Sequence, residues 1–309
     1  MRRRTATVVV ATHNRCEDLR HTLEQLRSLD PRPDEILIFL DGCTDGSREM
    51  LDAAFPECTV VENAIRAGSI PCRDRAFRQV TNDLIVSLDD DSYPVDTDFI
   101  ARISDLVDRH PEAGAFTFPE IRNDGMSPDA NFSAASPGHY IAAYPDCAGV
   151  MIRSLYGTVA AYLPFFSHTY EEPDYCVQLY AAGYAVWFEP SLKIRHHFAP
   201  RERNMLARHL LNARNEFWSV LIRCPFPYVI PVALFRVARQ FGFACGMGWK
   251  WWSREPKWWW SALVGIPRCF AERKPIPWKI YFAWMRLARN PAVTTRERAA
   301  ALMAGNRST

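Results

Sequence analysis

The sequence has few lysines, no regular cysteine pattern and no long uncharged apolar run. Its nine cysteines are scattered singly and form no Cys-x-x-Cys pair. This is unlike a zinc site or a disulfide framework and typical of reduced thiols in a cytoplasmic protein. Because no stretch of about 18 uncharged apolar residues occurs, a full transmembrane helix is not expected. Internal repeats and low-complexity linkers are also lacking, which leaves one large domain or one domain with an appendage.

The first residues resemble a signal peptide only in part. Three arginines follow Met1 and precede a short apolar run over 5–11, but His13, Asn14 and Arg15 end that run without a small-residue cleavage site. We therefore interpret the run as the first β-strand.

The formal net charge of +2 hides a strong asymmetry. Residues 1–200 contain 18 Lys/Arg and 30 Asp/Glu, which gives −12, whereas residues 201–309 contain 19 and 5, which gives +14. A difference of this size predicts that the two parts contact different partners.

Strand and helix patterns alternate along the first 90 residues. Continuous apolar runs, typical of buried parallel strands, predict strands at 7–11, 35–40, 59–62 and 83–88. Helical spacing of apolar residues predicts helices at 17–29, 47–54 and 71–80. Further on, the pattern predicts a helix at 173–182, a strand at 184–188 and a long helix at 201–223, and it leaves 111–160 unassigned. This alternation predicts an α/β fold, a doubly wound and mainly parallel sheet with helices on both faces.

Three polar segments follow predicted strands of this sheet, at 13–15, 41–47 and 89–91. In open parallel sheets, ligands bind in the crevice at the carboxyl ends of the strands. The sequence therefore predicts a ligand site where these segments meet.

The acidic triplet Asp89-Asp90-Asp91 is the sharpest feature of the sequence. Neighbouring ionised carboxylates in a crevice repel one another unless a cation compensates them. Mg²⁺ and Mn²⁺ bind carboxylate and phosphate oxygens together, so the triplet predicts a site for one of these ions and a phosphorylated ligand. The alternative is a solvated acidic turn that caps a helix.

Two later motifs also carry chemistry. Glu171 and Glu172 open a predicted helix, where acids either stabilise the helix dipole or act as a general base on an acceptor hydroxyl. His196 and His197 follow a predicted strand, and only one of them should reach a metal site because their side chains point to opposite sides. Asp41, within a glycine-rich turn, either caps the next helix or accepts hydrogen bonds from a nucleoside.

Taken in order, five segments resemble family 2 glycosyltransferases with the GT-A fold. They are Val8-Val-Val-Ala-Thr-His-Asn-Arg15, Asp41-Gly-Cys-Thr-Asp-Gly-Ser47, Leu88-Asp-Asp-Asp-Ser92, Glu171-Glu-Pro-Asp174 and His196-His197. The resemblance covers about residues 5–200, and each segment alone is weak whereas the ordered set is specific. It implies inverting transfer of a sugar from a nucleotide-diphosphate sugar (UDP-, GDP- or dTDP-linked).

The resemblance also implies roles for individual residues. The residues implied to bind the donor are Thr12, Asn14, Arg15, Asp41, Arg73, Asp89 and Asp90. Those implied to bind Mn²⁺ or Mg²⁺ are Asp89, Asp91 and His196. Glu172 or Glu171 is implied as the catalytic base. Asp74 stands where the family has Asn, and Gly149 falls near the family's acceptor strand.

The C-terminal part differs in composition. Eight of the ten Trp residues lie at or after Trp249, interleaved with Lys and Arg. This predicts a division into a catalytic domain over 1–222 and a helical, Trp- and Arg-rich region over 223–309. Indoles and basic side chains favour an anionic membrane interface, so we expect the segment 225–290 to contact a membrane surface. The alternative is an aromatic subdomain packed on the catalytic domain, and a nucleic-acid partner is not expected.

The C-terminal part also faintly resembles family members that build bacterial surface polysaccharides or glycolipids. The segments that carry this resemblance are Asn212-Ala-Arg-Asn215 and Arg273-Lys-Pro-Ile-Pro277. It implies a glycan or lipid-linked acceptor and a peripheral position at the inner face of the cell membrane. It remains an analogy.

Two rival functions fit parts of the sequence. A haloacid-dehalogenase-like phosphatase would use Asp89 as its nucleophile, but it needs a downstream lysine and a further acidic pair, and Lys193 is the only lysine before residue 250. An inactive scaffold that binds sugar nucleotides would not need the acids and His196.

Overall fold

The computed structural model describes residues 3–123, 137–144, 147–197 and 204–289. In these ranges a sheet of eight strands lies between helices, and a smaller sheet has three strands. The strands are β1 (Ala6–Thr12), β2 (Glu35–Asp41), β3 (Thr59–Asn63), β4 (Leu84–Asp89), β5 (Ser92–Pro94), β6 (Ala113–Thr117), β7 (Glu120–Ile121), β8 (His139–Ile141), β9 (Ala148–Ile152), β10 (Ala185–Phe188) and β11 (Ile194–His196). The helices are α1 (Cys16–Leu26), α2 (Ser47–Ala54), α3 (Ser69–Gln79), α4 (Phe99–Arg109), α5 (Glu171–Ala181), α6 (Met205–Arg223), α7 (Val229–Gly246), α8 (Trp249–Trp252), α9 (Glu255–Val264), α10 (Ile266–Ala271) and α11 (Trp278–Arg289).

The first half of the large sheet is parallel, with the order β3-β2-β1-β4. Its strands are buried on both faces, which is why they form continuous apolar runs. Val8 and Val10 pack against α1, α2 and α4 on one face, while Val9 packs against α3 and α5 on the other. The predicted α/β architecture, mainly parallel with helices on both faces, is therefore confirmed.

The second half of the large sheet is mixed, with the order β9-β6-β10-β8. β9 runs antiparallel to both β4 and β6, and β8 runs antiparallel to β10. Small residues allow close packing here, because a Cβ atom on Gly149 of β9 would lie 3.0 Å from the ring of Tyr144. β10 agrees with the strand predicted at 184–188, whereas β6, β8, β9 and the amphipathic helix α4 were not assigned from the sequence.

The small sheet pairs β11 with β5 and β7. β5 follows the acidic triplet directly, and His196 pairs with Ser92 in this sheet. The second sheet therefore brings a residue from late in the chain next to the end of β4.

The C-terminal helices share the core on the α3 and α5 face of the large sheet. Buried side chains of α6, α7 and α11, including Trp218, Val229 and Trp284, belong to the same apolar cluster as Val9 and Phe39. The predicted division at residue 222 remains a prediction. The start of the predicted helix at 201–223 and the end of the C-terminal region lie outside the described residues.

One helix of the described ranges, α7, is long and apolar enough to cross a membrane by length and composition alone, which is weak evidence for a span. Its 18 residues include Arg236 and Arg239, and 22% of the segment is buried in the fold.

A buried ion pair ties α5 to α6. Asp174 accepts hydrogen bonds from Arg223 at 3.1 and 2.8 Å and from Ser219 at 2.7 Å. The side chains of Asp174 and Arg223 are 2% and 3% exposed, so the two charges depend on each other for compensation. The third acid of the Glu171-Glu-Pro-Asp174 motif is thus a structural anchor.

We predict that Arg223→Met destabilises the fold by about 3 kcal/mol, because it leaves the buried carboxylate of Asp174 without its partner. The urea midpoint of unfolding, followed by circular dichroism, measures this change. Arg48→Met is the matched control, because Arg48 pairs with Asp52 at an exposed surface, and it should leave the midpoint unchanged. Equal midpoints for the two variants would contradict the assigned role of the ion pair.

Candidate active site

The acidic triplet at the end of β4 is the centre of the site. Asp90 is buried and accepts a hydrogen bond of 2.7 Å from Thr12 Oγ1 at the end of β1. Its backbone carbonyl accepts a hydrogen bond of 2.8 Å from Thr22. Burial raises the pKa of Asp90 to about 7, although Arg15 and Thr12 act in the opposite direction. Two of the residues predicted to bind the donor, Thr12 and Asp90, therefore contact each other.

Arg15 compensates the charge of this triplet. Its Nη1 lies 3.0 Å from Asp90 Oδ1 and its Nη2 lies 2.9 Å from Asp91 Oδ2. Its Nε donates to Asp18, which lies one turn further along α1. Arg15 was predicted at the nucleotide, and the structure places its guanidinium against the carboxylates at the same sheet edge.

His196 completes the acidic centre from the small sheet. Its Nε2 lies 3.2 Å from Asp91 Oδ1, and its Nδ1 lies 2.7 Å from Glu120 Oε1. Burial alone would lower the pKa of His196, but its hydrogen bonds with Asp91, Cys147 and Glu120 raise it to about 12. Burial alone would raise the pKa of Asp91, but His196 and Arg15 hold it below its ordinary value.

Glu120 was missed by the sequence analysis. It is buried at the start of β7 and accepts hydrogen bonds from His196 and Arg122. A carboxylate on one ring nitrogen of a histidine orients the ring, so that the other nitrogen faces a metal site. The only signal in the sequence is that Glu120 follows the apolar piece at 115–118.

The structure brings together the three predicted metal ligands. Ligand atoms of Asp89, Asp91 and His196 all lie within 4.8 Å of one another. Two carboxylates and one imidazole suit a divalent ion such as Mn²⁺, with remaining positions open to phosphate oxygens. Glu120 and Cys147 form a second such group with His196, but a thiol favours softer ions. The residues therefore fit the implied Mn²⁺ or Mg²⁺ through Asp89, Asp91 and His196.

Arg73 lies on the opposite side of the triplet, buried on α3. It contacts the carboxylate of Asp89, and its Nη1 lies 3.9 Å from Glu171 Oε1. Asp74, which replaces the family's Asn, instead accepts hydrogen bonds from Tyr156 at 2.8 Å and from Arg78 at 3.0 Å. Arg73 thus faces the site, whereas Asp74 is bound within the fold.

Asp41 and Asn14 hold loops at the other end of the crevice. The carboxylate of Asp41 accepts hydrogen bonds from the backbone of Ala67 at 2.7 Å and of Gly68 at 2.8 Å. Burial alone would raise the pKa of Asp41, but these hydrogen bonds hold the pKa below its ordinary value. Asn14 Oδ1 accepts a hydrogen bond of 2.7 Å from the backbone of Thr44. Both predicted donor-binding residues lie at the strand ends and order the loops there.

The two candidate bases open α5 after a strained loop. Ser167, Thr169 and Tyr170 all have positive φ angles, which are costly for residues with side chains and persist only where neighbours enforce them. Glu171 and Glu172 follow directly and are 1% and 5% exposed. Positive φ in three of four residues turns the chain so that these acids face the crevice.

Asn215 of α6 enforces this loop. It is fully buried, and its Nδ2 lies 3.0, 2.8 and 2.8 Å from the carbonyl oxygens of Phe166, His168 and Thr169. On the other side, Gly68 approaches so closely that a Cβ atom there would lie 2.7 Å from the carbonyl oxygen of Ser167. The loop that positions the candidate bases is therefore held between α3 and α6.

A cleft of about 680 Å³ opens beside Glu172. Its walls come from the 169–173 segment and from α6, α7 and α8. The lining residues are Tyr144, Thr169, Tyr170, Glu172, Pro173, Met205, Arg208, His209, Asn212, Arg239, Gln240, Phe243 and Trp251. Glu171 is not among them and lies next to Arg73 instead. The structure thus separates the two adjacent glutamates.

His197, the residue after His196, lies in a different environment. The Nε2 of His197 lies 3.0 Å from the hydroxyl of Tyr93, and its ring packs edge-on against His21. The pKa of His197 is lowered by burial and by the charges of His21 and Arg195. His196 alone of the pair faces the carboxylates.

Residues 7–151 match the sequence model of the glycosyl transferase family 2. The chain matches none of the curated protein sequences compared with it.

Solved structures of glycosyltransferases share the fold. Mannosyltransferase PcManGT from Pyrobaculum calidifontis, in complex with GDP-Man and Mn²⁺, has a TM-score of 0.59 at 17% identity over 100% of this chain and 88% of its own. TarS 1–349 from S. aureus has a TM-score of 0.60 at 13% identity over 98% of this chain and 91% of its own. GalNAc-T7, with UDP, GalNAc and Mn²⁺, has a TM-score of 0.60 at 14% identity over 72% of this chain.

This chain spans about half of GalNAc-T7, 48% of its length. At these identities the likeness establishes the fold and leaves substrates open. The family match covers the strand that ends in the acidic triplet. Residues 7–151 are therefore similar in sequence to glycosyl transferase family 2, and the described part of the chain has the GT-A fold of these solved structures.

Proposed function

We propose that the protein is an inverting, metal-dependent glycosyltransferase that moves a sugar from a nucleotide-diphosphate sugar to an acceptor hydroxyl. The observation that carries this proposal is a chain of contacts from the metal set of Asp89, Asp91 and His196 to the candidate bases. Arg73 contacts Asp89 and lies 3.9 Å from Glu171, and Glu172, the next residue, lines the cleft. A metal set, a cation and a carboxylate linked in this way supply the three functions that a single displacement needs. The solved neighbours contain UDP-GlcNAc, UDP or GDP-Man, two of them with Mn²⁺, which supports a nucleotide-linked donor.

The donor side of the site would neutralise a diphosphate. Asp89, Asp91 and His196 would hold Mn²⁺ or Mg²⁺, which supplies positive charge to the leaving group when bound. Arg73 adds a second positive charge beside Asp89. Thr12, Asn14, Arg15 and Asp41 line the strand ends where the nucleoside would lie, and Asp90 would stand next to the donor sugar or ribose. Arg15, which pairs with two of the carboxylates, keeps them compensated before the ion arrives.

Glu172 is the proposed base. It lines the cleft, where a carboxylate can accept the proton of an acceptor hydroxyl as its oxygen attacks the anomeric carbon. Glu171 lies near Arg73 instead, so we assign it to the positioning of that guanidinium. Because the acceptor oxygen displaces the diphosphate from the opposite face in one step, the configuration at the anomeric carbon inverts.

We further propose a glycan or lipid-linked acceptor and a peripheral position at the cytoplasmic face of the cell membrane. Two observations support this: the positive charge of residues 201–309 and the exposed indoles of the C-terminal helices. The catalytic domain would span 1–222, with the region 223–309 facing the acceptor. A nucleic-acid partner is not proposed.

The first test is a panel of UDP-, GDP- and dTDP-sugars in calorimetric titrations with and without Mn²⁺. We expect one nucleotide class to bind, at least tenfold more tightly with the ion than without it. An absence of metal-dependent binding across the panel would contradict the proposal. Catalytic release of phosphate from a phosphate monoester with Mg²⁺ would favour the phosphatase with Asp89 as nucleophile.

The second test separates the two glutamates. Glu172→Gln should lower kcat about 10²- to 10⁴-fold, which is the usual contribution of a general base, while the affinity for donor and Mn²⁺ stays the same. Glu171→Gln is the matched control on the same helix turn and should retain more turnover. If Glu172→Gln turns over the donor at the wild-type rate, the assignment of the base is wrong.

The third test concerns the metal set. Glu120→Gln should weaken Mn²⁺ binding about 10- to 100-fold, because Glu120 orients the ring of His196. Glu189→Gln provides the control, since Glu189 is also buried but bonds to Ser191 instead. Titration calorimetry with Mn²⁺ alone measures both variants. Equal affinities for the two would exclude an orienting role for Glu120.

A further inference from the structure

Exposed apolar side chains are concentrated on the C-terminal helices. Among the described residues, 16 of the 18 exposed large hydrophobic side chains lie at or after Met205, and only Ile65 and Val95 lie before it. Such a concentration is unusual for a surface that faces water alone, and it marks an interaction surface.

Six of the exposed side chains form stripes on two helices, α7 and α9. On α7, Ile230, Leu234 and Phe241 share one side by helical spacing, and on α9 so do Trp260, Leu263 and Val264. Both helices pack on α6, and Phe241 of α7 lies 5.9 Å from Trp259 of α9 between ring centroids, so the two helices are neighbours. We call these six residues the apolar face.

The region around the apolar face is almost purely cationic. Residues 224–289 contain eleven Lys and Arg but only two acids, Glu255 and Glu272. Glu255 is fully buried against His209 and Trp258, and Glu272 is paired with Arg268. Arg236 and Arg239 pair with Glu216 of α6. The acids nearby are thus fewer than the cations, and the region keeps a net positive charge that a partner can neutralise.

Three of these cations meet in one cavity. Lys250, Arg254 and Lys257 line a cavity of about 690 Å³ together with Trp249, and no acid is among its lining residues. Cations beside an exposed indole suit a phosphate headgroup at the boundary between water and acyl chains.

We propose that the apolar face rests on an anionic lipid bilayer, with the cavity of Lys250, Arg254 and Lys257 receiving lipid phosphates and the cleft at Glu172 opening at the bilayer surface. The orientation of the cleft rests on the proposed function, whereas the contact with lipid does not.

The same observations weigh against other occupants of this surface. A second copy would bring two cationic surfaces together, and a polyanion such as nucleic acid would gain nothing from covering Leu234 or Leu263. α7 does not leave the fold to span the bilayer, because Arg236, Arg239 and Gln240 bind the buried Glu216 of α6. α7 therefore lies along the surface, as interfacial helices do.

The cleft shares a corner with this surface. Phe243 of α7 and Trp251 of α8 line the cleft beside Glu172, and Met247 and Trp249, which lie between them in sequence, are exposed. A hydroxyl on the headgroup of a membrane amphiphile would thus reach Glu172 while its chains stay in the bilayer.

Co-sedimentation with vesicles tests the contact with lipid. The full chain should bind vesicles of equal parts phosphatidylcholine and phosphatidylglycerol, and it should bind pure phosphatidylcholine much more weakly and lose binding as salt is raised. The triple variant Lys250→Glu, Arg254→Glu, Lys257→Glu should weaken binding roughly a hundredfold, because each basic side chain near such a surface contributes roughly a fivefold factor.

Apolar variants complete this test. Leu234→Glu and Leu263→Glu should each weaken vesicle binding, whereas Ile65→Glu, at an even more exposed site on the catalytic part, should not. Circular dichroism checks that each variant is folded. Failure of the wild type to bind anionic vesicles, equal loss with Ile65→Glu, or a dimer in lipid-free solution whose formation requires the apolar face would each overturn the proposal.

A single native cysteine reports the orientation of the cleft. Cys245 lies between Phe243 and Met247 and is the only exposed cysteine of the nine. An environment-sensitive fluorophore on Cys245 should shift its emission to the blue when anionic vesicles are added. The control carries Cys245→Ser and Ile65→Cys and should show no shift. Vesicle binding without a shift at Cys245 would refute the orientation of the cleft.

Neither vesicle co-sedimentation nor the fluorescence at Cys245 requires a sugar donor or catalytic turnover. Their failure would leave the proposed sugar transfer intact, and a failure of donor binding in the nucleotide-sugar panel would leave the lipid contact intact.

Discussion

Three consecutive carboxylates at the end of a buried strand need positive charge around them, and this need governs the site. Arg15, the residue before α1, contacts Asp90 and Asp91. Arg73 of α3 contacts Asp89, and His196 of the small sheet contacts Asp91. Each cationic group lies at or in a different element. Their ion pairs with the triplet therefore hold two helices and the small sheet against the edge of the large sheet where β4 ends. A divalent ion at this point would redistribute these contacts without requiring the fold to change.

The reversal of direction within the large sheet brings later segments of the chain back to the triplet. Parallel strands deliver the triplet to one edge, and antiparallel β9 then returns the chain beside β4, which places Cys147 and Ser92 in contact through a hydrogen bond of 2.8 Å. After this reversal, β11 lies next to the triplet and α5 forms the opposite wall of the site. The C-terminal helices close that wall and share one apolar core with the sheet. α6, α7 and α8 also contribute side chains to the lining of the cleft.

The sequence predicted the parts that depend on local pattern. Buried parallel strands have continuous apolar runs, and the polar residues that follow them identified the edge of the sheet where the site lies. Both patterns involve only a few neighbouring residues, so they can be recognised in the sequence. Glu120 and the role of Asp74 were not predictable in this way. They depend on the pairing of β7 with β11 and on the contact between α3 and Tyr156, which join distant segments. The helix α4 is a different case, since its buried Phe99, Ile103 and Leu106 follow a helical period that was present in the sequence.

The contact between Gly68 and the loop before α5 has a consequence for how such a chain can diverge. Ile70 donates a backbone hydrogen bond of 3.2 Å to the same Ser167 carbonyl that leaves no room for a side chain on residue 68. Any side chain at 68 therefore demands a different path for the loop, and a different loop releases Asn215. Segments 67–70 and 166–170 are in this sense structurally coupled, and a change of backbone path in one requires a change in the other.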